Sequence, residues 1–249
     1  MDIQPAYYRD SYLQTLETEI VAVDGDSVTC LDTIFYPEGG GQPGDSGSLV
    51  CGGKTYVIVD TSKDKTSGHI YHQLEDTEGL SAGSAVRLEL DWQRRYAHMR
   101  MHTAMHLLGS LIPVPVTGGA VGAEKSRLDF DLGEHQIDKS DLTDKMNALI
   151  NGAHTLEFSS ITDEELDANP NLVRTMSVQP PRGSGVIRMV RIADIDYQPC
   201  GGTHLKCVSE IGPIEIKKIE NKGKKNRRVH LVFADPGQVE DLTRDIDLS

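Results

Sequence analysis

Apolar and polar positions alternate in short runs through the first third of the chain. Ile20-Val-Ala-Val, Ser27-Val-Thr-Cys-Leu, Ser48-Leu-Val-Cys, Thr55-Tyr-Val-Ile-Val and Ala85-Val-Arg-Leu-Glu-Leu each read as a strand, and Asp24-Gly25 marks a hairpin turn between the first two. Turns at this spacing predict a small β-barrel or sandwich, and we take the barrel. Near Asp91 the period changes. From Gln93 to Ile112, Tyr96, Ala104, Leu107, Leu108 and Leu111 recur at helical spacing until Pro113 stops the helix. Residues 114–133 read as strand, glycine-rich turn and strand, with strict alternation in Arg127-Leu-Asp-Phe-Asp-Leu. Residues 138–153, behind a cap at Asp138 or Ser140, and 162–169 read as helices. Strands are expected at Val186–Ile192, Ile214–Ile219 and Arg228–Phe233, the last closing the sheet, before a polar tail. The expected fold is α+β: a small N-terminal barrel over 1–91, then an α/β two-layer domain with an antiparallel sheet over 92–249.

Composition adds limits. The chain has 249 residues, 38% hydrophobic and 25% charged, as in soluble globular proteins. No apolar run approaches the roughly 20 residues of a membrane span, and Met1-Asp-Ile-Gln-Pro lacks a signal peptide's basic start and apolar core. A cytoplasmic location is expected. Four scattered cysteines, Cys30, Cys51, Cys200 and Cys207, do not form a disulfide framework. A net charge of −13 argues against nucleic-acid binding unless the cations cluster. They do: Lys217, Lys218, Lys222, Lys224, Lys225, Arg227 and Arg228 place seven within twelve residues.

The sharpest chemical signal is His102-Thr-Ala-Met-His106 on the long helix. Residues four apart share a face, so both imidazoles can reach one ion. Cys200-Gly-Gly-Thr-His204 supplies a second pair, its glycines permitting a tight turn. Three imidazoles and one thiolate suit tetrahedral zinc. Either half alone has a plainer explanation, as surface histidines or as a turn. His98 lies a further turn back and complicates the choice. At 1.5 Å per residue it is roughly 12 Å from His106 along the axis, so the two cannot share an ion. His106, beside Leu107 and Leu108, is preferred.

These segments resemble the editing domain of alanyl-tRNA synthetases, and most of all its stand-alone AlaX relatives. The resemblance rests on His102-Thr-Ala-Met-His106-Leu-Leu with Cys200-Gly-Gly-Thr-His204. It extends to Pro37-Glu-Gly-Gly-Gly-Gln-Pro-Gly-Asp-Ser-Gly47, to Val116-Thr-Gly-Gly119 with Arg127-Leu-Asp-Phe-Asp131, and to Ile219-Glu-Asn-Lys-Gly-Lys-Lys-Asn-Arg-Arg-Val229. It spans residues 30–233 in order and leaves no room for a synthetase catalytic domain. The chain departs from the family in carrying His98, and in Thr117 where many synthetases have glutamine.

The resemblance implies a zinc-dependent aminoacyl-tRNA deacylase that removes serine or glycine from mischarged tRNA(Ala). Zinc would polarise the ester and acidify a bound water, the favoured nucleophile; no side chain is assigned as base. Four protein ligands normally describe a closed site. Either one gives way to water, or zinc expands its coordination, or zinc holds the substrate. No Glu stands inside the His-x-x-x-His, unlike a helical zinc protease. The Thr103 hydroxyl would pair a serine side chain, or else bond back to its own helix. Thr117, Gly118 and Gly119 are expected beside the substrate. The N–H groups of Gly39, Gly40 and Gly41 would face the tRNA end, unless the run is a plain loop. Lys222, Lys224, Lys225, Arg227 and Arg228 would contact tRNA phosphate, or else guard a strand edge. The competing readings are a non-catalytic RNA-binding module with a structural zinc, and editing of another mischarged tRNA such as seryl-tRNA(Thr).

Overall fold

In the computed structural model, which describes residues 4–133, 135–173 and 186–235, the alternating N-terminal segments are strands that close on themselves. After a single helical turn, α1 (Ala6–Arg9), come β1 (Thr15–Asp24), β2 (Ser27–Cys30), β3 (Gly47–Cys51), β4 (Lys54–Lys63), β5 (Ile70–Leu74) and β6 (Ala85–Leu90). They form a closed barrel in the order β1-β2-β5-β4-β3-β6. Inward positions follow the pleat: Val86 and Leu88 of β6, Ile58 of β4 and Leu49 of β3 are all at or below 2% exposure. The turn between β1 and β2 is tight, with Asp24 opposite Ser27 and Gly25 at φ 57°.

Strand β5 is not legible in the pattern, yet without it β2 and β4 have no common neighbour. The reason is His72, a polar residue at a core-facing position. It is fully buried, with Nδ1 3.1 Å from the Val28 carbonyl and Nε2 2.8 Å from the Thr33 hydroxyl. The Phe35 N–H donates to that same hydroxyl. With the ring neutral, Nδ1–H donates to the Val28 carbonyl and Nε2 is left to accept from the Thr33 hydroxyl.

The glycine-rich motif is part of the barrel's packing. A Cβ on Gly44 would lie 2.1 Å from the Thr61 carbonyl, and one on Gly47 would lie 2.2 Å from that of Glu89. Between these two glycines stands Asp45, 1% exposed, paired with Arg95, which is 0% exposed. The carboxylate also accepts from the Tyr36 N–H at 2.6 Å, and Arg95 donates to the carbonyls of Ile34 at 2.6 Å and Ser11 at 3.2 Å. Removing one partner of such a pair strands a buried charge and costs about 3–5 kcal/mol.

The chain divides into two compact units, Met1–Tyr96 and Ala97–Ser249. The division falls within the long helix α2 (Trp92–Leu111), which Asp91 caps by accepting the Arg94 N–H at 3.1 Å. Then follow β7 (Val116–Ala120), β8 (Lys125–Asp131), α3 (Lys139–Asn151), β9 (Leu156–Ile161), α4 (Asp163–Ala168), β10 (Ile187–Ile192), β11 (Asp196–Pro199), β12 (Ile214–Asn221) and β13 (Asn226–Phe233). All pairings are antiparallel, but there are two sheets, β12-β13-β8-β7 and β11-β10-β9. The α+β class and the antiparallel pairing are as expected; the second sheet arises because β10 pairs with two strands that carry no readable alternation. In β9 only Leu156 is buried, and β11 is short and polar. Asp138 is the cap of α3, accepting the Asp141 N–H at 2.9 Å. Asn147 ties α3 to β12 through both backbone groups of Ile214, at 2.9 and 3.0 Å.

Met99, Met101, Ala104, Leu107 and Leu108 of α2 are completely buried. Arg100 is buried too, donating to the Ile211 carbonyl at 2.9 Å and lying 4.0 Å over the Phe233 ring. No helix among the described residues is long and apolar enough to cross a membrane. The polar tail lies outside the described residues.

Burial lowers the His72 pKa from 6.5 to about 4. Between those values the unfolded chain holds the extra proton, so stability falls as pH drops from 6.5 towards 4 and is unaffected by His72 above that range. The loss should reach roughly 3 kcal/mol. Trp92, the chain's single tryptophan, reports on this unit. Urea unfolding followed by its fluorescence at pH 7.5 and 4.5 should show a larger drop for wild type than for His72→Gln. Equal drops would mean that His72 does not carry the pH dependence.

Candidate metal centre

One turn of α2 brings His102 and His106 side by side, their ring centroids 5.4 Å apart. The segment after β11 brings Cys200 and His204 to the same place. The His204 ring lies 4.3 Å from His102 and 4.6 Å from His106, centroid to centroid. Cys200 Sγ is 3.5 Å from His102 Nε2 and 3.2 Å from His204 Nε2. One ligand atom from each of the four residues lies within 4.8 Å of all the others. His102, His106 and His204 are 7%, 6% and 1% exposed. Four side chains of this chemistry, so crowded and three of them buried, could together hold a metal ion. His98 is also buried, at 2% exposure, but is not in this group.

Neighbours orient His106, His204 and Cys200. Asp196 Oδ2 lies 2.8 Å from His106 Nδ1, and the Gln198 amide bonds the same carboxylate at 2.8 Å, leaving His106 Nε2 for the centre. Thr103, 0% exposed, places its hydroxyl 3.2 Å from His204 Nδ1 and accepts the Leu205 N–H at 3.3 Å. It does not bond back to its own helix. The Gly202 N–H donates to Cys200 Sγ at 3.4 Å. Arg188 on β10 clamps the turn, donating to the carbonyls of Cys200 at 2.8 Å and Gly202 at 2.9 Å.

The electrostatics suit a cation. Burial would raise the Cys200 thiol, but the His102 and His204 imidazoles outweigh it and hold the pKa well below its ordinary value. Burial, aided by His102, drives His204 well below 6.5, so this ring stays neutral. Burial opposes charge on His106 as well, yet Asp196 and Cys200 overcome it and raise the pKa to about 10. The shifts favour a sulfur without its proton beside an imidazole that holds one, and a divalent cation would take the place of that proton.

The remaining candidates have other surroundings. Gly118 and Gly119 lie on β7. A Cβ on Gly119 would come within 3.2 Å of Met105 Cε and 3.0 Å of Leu128 Cδ2, so this glycine lets β7 approach α2 beside the centre. Thr117 donates to Asn226 Oδ1 at 2.9 Å. Gly39–Gly41 belong to the barrel unit and form a turn closed by Gly39 and Gln42, whose N–H groups bond each other's carbonyls at 3.0 and 2.9 Å. Gly40 and Gly41 take φ of 59° and 84°, which glycine adopts without strain. Lys222, Lys224 and Lys225 are exposed at the β12–β13 turn. Arg227 caps that turn through the Gly223 and Asn226 carbonyls. Arg228 forms a bidentate pair with Asp129, at 2.7 and 2.8 Å, so it is already engaged.

Sequence reasoning missed Asp196, Gln198 and Arg188. The first two had a signal: 196, 198 and 200 alternate along a strand, so they share the face of Cys200. Arg188 had none, because its role depends on a strand pairing.

The match to known proteins covers both units. The family described as Threonyl and Alanyl tRNA synthetase second additional domain matches residues 187–230, and the one described as tRNA synthetases class II (A) matches residues 9–94. Alanyl-tRNA editing protein AlaX-M of Methanosarcina acetivorans is 37% identical over 242 residues, covering 92% of this chain and 98% of its own length. AlaX-M of Saccharolobus solfataricus is 34% identical over 228 residues, covering 90% and 96%. The alanine–tRNA ligase of Sulfurisphaera tokodaii is 37% identical over 226 residues, which are 86% of this chain but 24% of the ligase. With near-complete coverage of both partners at this identity, the chain belongs to the AlaX family of alanyl-tRNA editing proteins.

Proposed function

We propose that this protein hydrolyses the ester of tRNA(Ala) mischarged with serine or glycine, using zinc held by His102, His106, Cys200 and His204. The observation that carries the reading is the convergence of these four side chains in a chain matched over 92% of its length by an alanyl-tRNA editing protein. The donor set fits zinc. Bond lengths of about 2.0–2.3 Å put the ligand atoms of a tetrahedral site roughly 3.3–3.8 Å apart, and the Cys200 contacts at 3.5 and 3.2 Å lie close to that range. Bound zinc supplies Lewis-acid polarisation of the ester carbonyl. The rest falls to the chain. Asp196 and Gln198 hold the His106 tautomer, Arg188 fixes the turn that presents Cys200, and burial excludes bulk water. With the Leu205 N–H and His204 both directed at its oxygen, Thr103 keeps its own O–H to donate to a serine side chain, and a site that pairs a hydroxyl discriminates against substrates lacking one. Thr117, Gly118 and Gly119, on β7, are the proposed substrate contacts of this unit.

A structural zinc in a non-catalytic RNA-binding module has one observation in its favour: four protein ligands, the count of a closed site. Deacylation of seryl-, glycyl- and alanyl-tRNA(Ala) separates the two. We expect loss of serine or glycine and retention of alanine. The double variant His102→Ala, His106→Ala should abolish both zinc binding and hydrolysis. No hydrolysis by zinc-loaded wild type would leave the module, while cleavage of seryl-tRNA(Thr) in preference to both would shift the substrate.

Asp196→Asn keeps the shape beside His106 but removes the charge. Zinc affinity, measured by chelator competition, should fall about 10- to 100-fold. Unchanged affinity would make the Asp196 contact incidental.

At −13 overall, the chain must hold tRNA by a local patch. Lys224 and Lys225, exposed on the β12–β13 turn, are its proposed centre, with Lys222, Arg227 and Arg228 beside them. Neutralising both lysines should weaken tRNA binding and flatten its salt dependence by about one to two units. Zinc content and hydrolysis of a short aminoacyl-ester mimic should persist. An unaltered salt slope would place the RNA elsewhere.

A further inference from the structure

The face of the three-stranded sheet that carries the metal centre continues beyond it. Phe158 on β9 pairs with Val190 on β10, and Val190 pairs with Gln198 on β11. Residues directly opposite on neighbouring strands share a face. Gln198, at one end of this row, bonds His106 at 3.1 Å. Val190 is fully buried, while Phe158, at the other end, is 43% exposed. Two inter-strand spacings, about 9–10 Å, separate the ends.

Arg188 lies in the next row of the same face, opposite Ser160. Its guanidinium carbon is 4.7 Å from the Phe158 ring centroid. The same guanidinium donates to the carbonyls of Cys200 and Gly202. An exposed aromatic ring is therefore fixed, through one cation, to the backbone that presents a metal ligand. The other face of the sheet has its own core of Leu166, Ile187 and Met189, so Phe158 is not a member of that cluster.

We propose that Phe158 and Arg188 form a stacking platform for the terminal adenine of the aminoacyl-tRNA. This rests on the editing function proposed above. The substrate ester sits on the terminal ribose, and that ribose carries the base. The two inter-strand spacings between Gln198 and Phe158 are of the order of the reach from a base to the ester on its own ribose. Aromatic rings bind unpaired bases by stacking, with an arginine adding cation–π attraction and favouring the nearby phosphate. A ring at an exposed sheet edge suits a single-stranded end, whose bases are free to splay out.

The test uses the full chain loaded with zinc and two labelled RNA minihelices, one ending in CCA and one with an abasic terminal ribose. Wild type should bind the intact end more tightly than the abasic one. Phe158→Ala should weaken binding of the intact end roughly 5- to 100-fold, and raise KM for deacylation similarly, with kcat little changed. Phe158→Tyr, which keeps a stacking ring, should restore both. Zinc content should be the same in all three proteins. Equal wild-type affinity for intact and abasic ends would overturn the proposal. So would a Phe158→Ala protein that loses zinc, or one that loses only kcat. Minihelix binding requires no hydrolysis, so inactive wild type that still distinguishes the two ends would refute the editing reaction and leave the platform standing.

Discussion

A thiolate and three imidazoles share a pocket so small that their ligand atoms all lie within 4.8 Å. Much of the second unit is arranged to make that crowding tolerable. Buried ionisable groups persist only when each is paired or coordinates a metal. Here Asp196 answers His106, Thr103 answers His204, and a backbone N–H answers Cys200. The opposed shifts of Cys200 and His106 express the same constraint: one group is favoured without its proton and the other with it. That polarity is the one a cation would replace. Arg188, a half-buried cation on the neighbouring strand, adds to the same arrangement by turning its guanidinium to the carbonyls of the turn.

The barrel unit solves a different problem with the same means. Its glycine-rich segment reads like a loop built to approach a ligand, and at Gly44 and Gly47 that close approach is to the barrel's own backbone. Asp45 between them is locked to Arg95 at the start of the long helix. One motif therefore supplies a tight turn, two close backbone contacts and half of a buried ion pair. Any substrate contact by Gly39–Gly41 must operate within that frame.

Charge shows how a local feature can depart from the bulk figure. The chain is strongly acidic, yet the β12–β13 turn gathers lysines. The adjoining sheet tempers them unevenly. Asp129 engages both Arg127 and Arg228, and Glu220 pairs with Lys218, Lys222 and His230. Lys224 and Lys225 at the turn tip are exposed, so a phosphate backbone would meet them at little desolvation cost.

Read alone, the sequence determined what lies on one face of one element. The period of two along Arg127–Leu132 marked a strand, and the spacing of His102 and His106 marked a shared helical face. Cys200-Gly-Gly-Thr-His204 marked a turn with two ligands, and the ordered motifs marked the family. It did not determine β5, β9 or β11. Their core-facing or site-facing positions hold His72, Asp196 and Gln198, or their outward faces are uniformly exposed, and polar residues erase the hydrophobic period. The sequence already favoured His106 over His98, from its place beside Leu107 and Leu108; only the tertiary structure supplied the physical partners, Asp196 on β11 and Cys200 in the segment after it. Only it showed that Arg228 is held by Asp129 and that Arg188 links Phe158 to the Cys200 turn. Those contacts join residues dozens of positions apart, and spacing along a chain carries no information about which distant strands will pair.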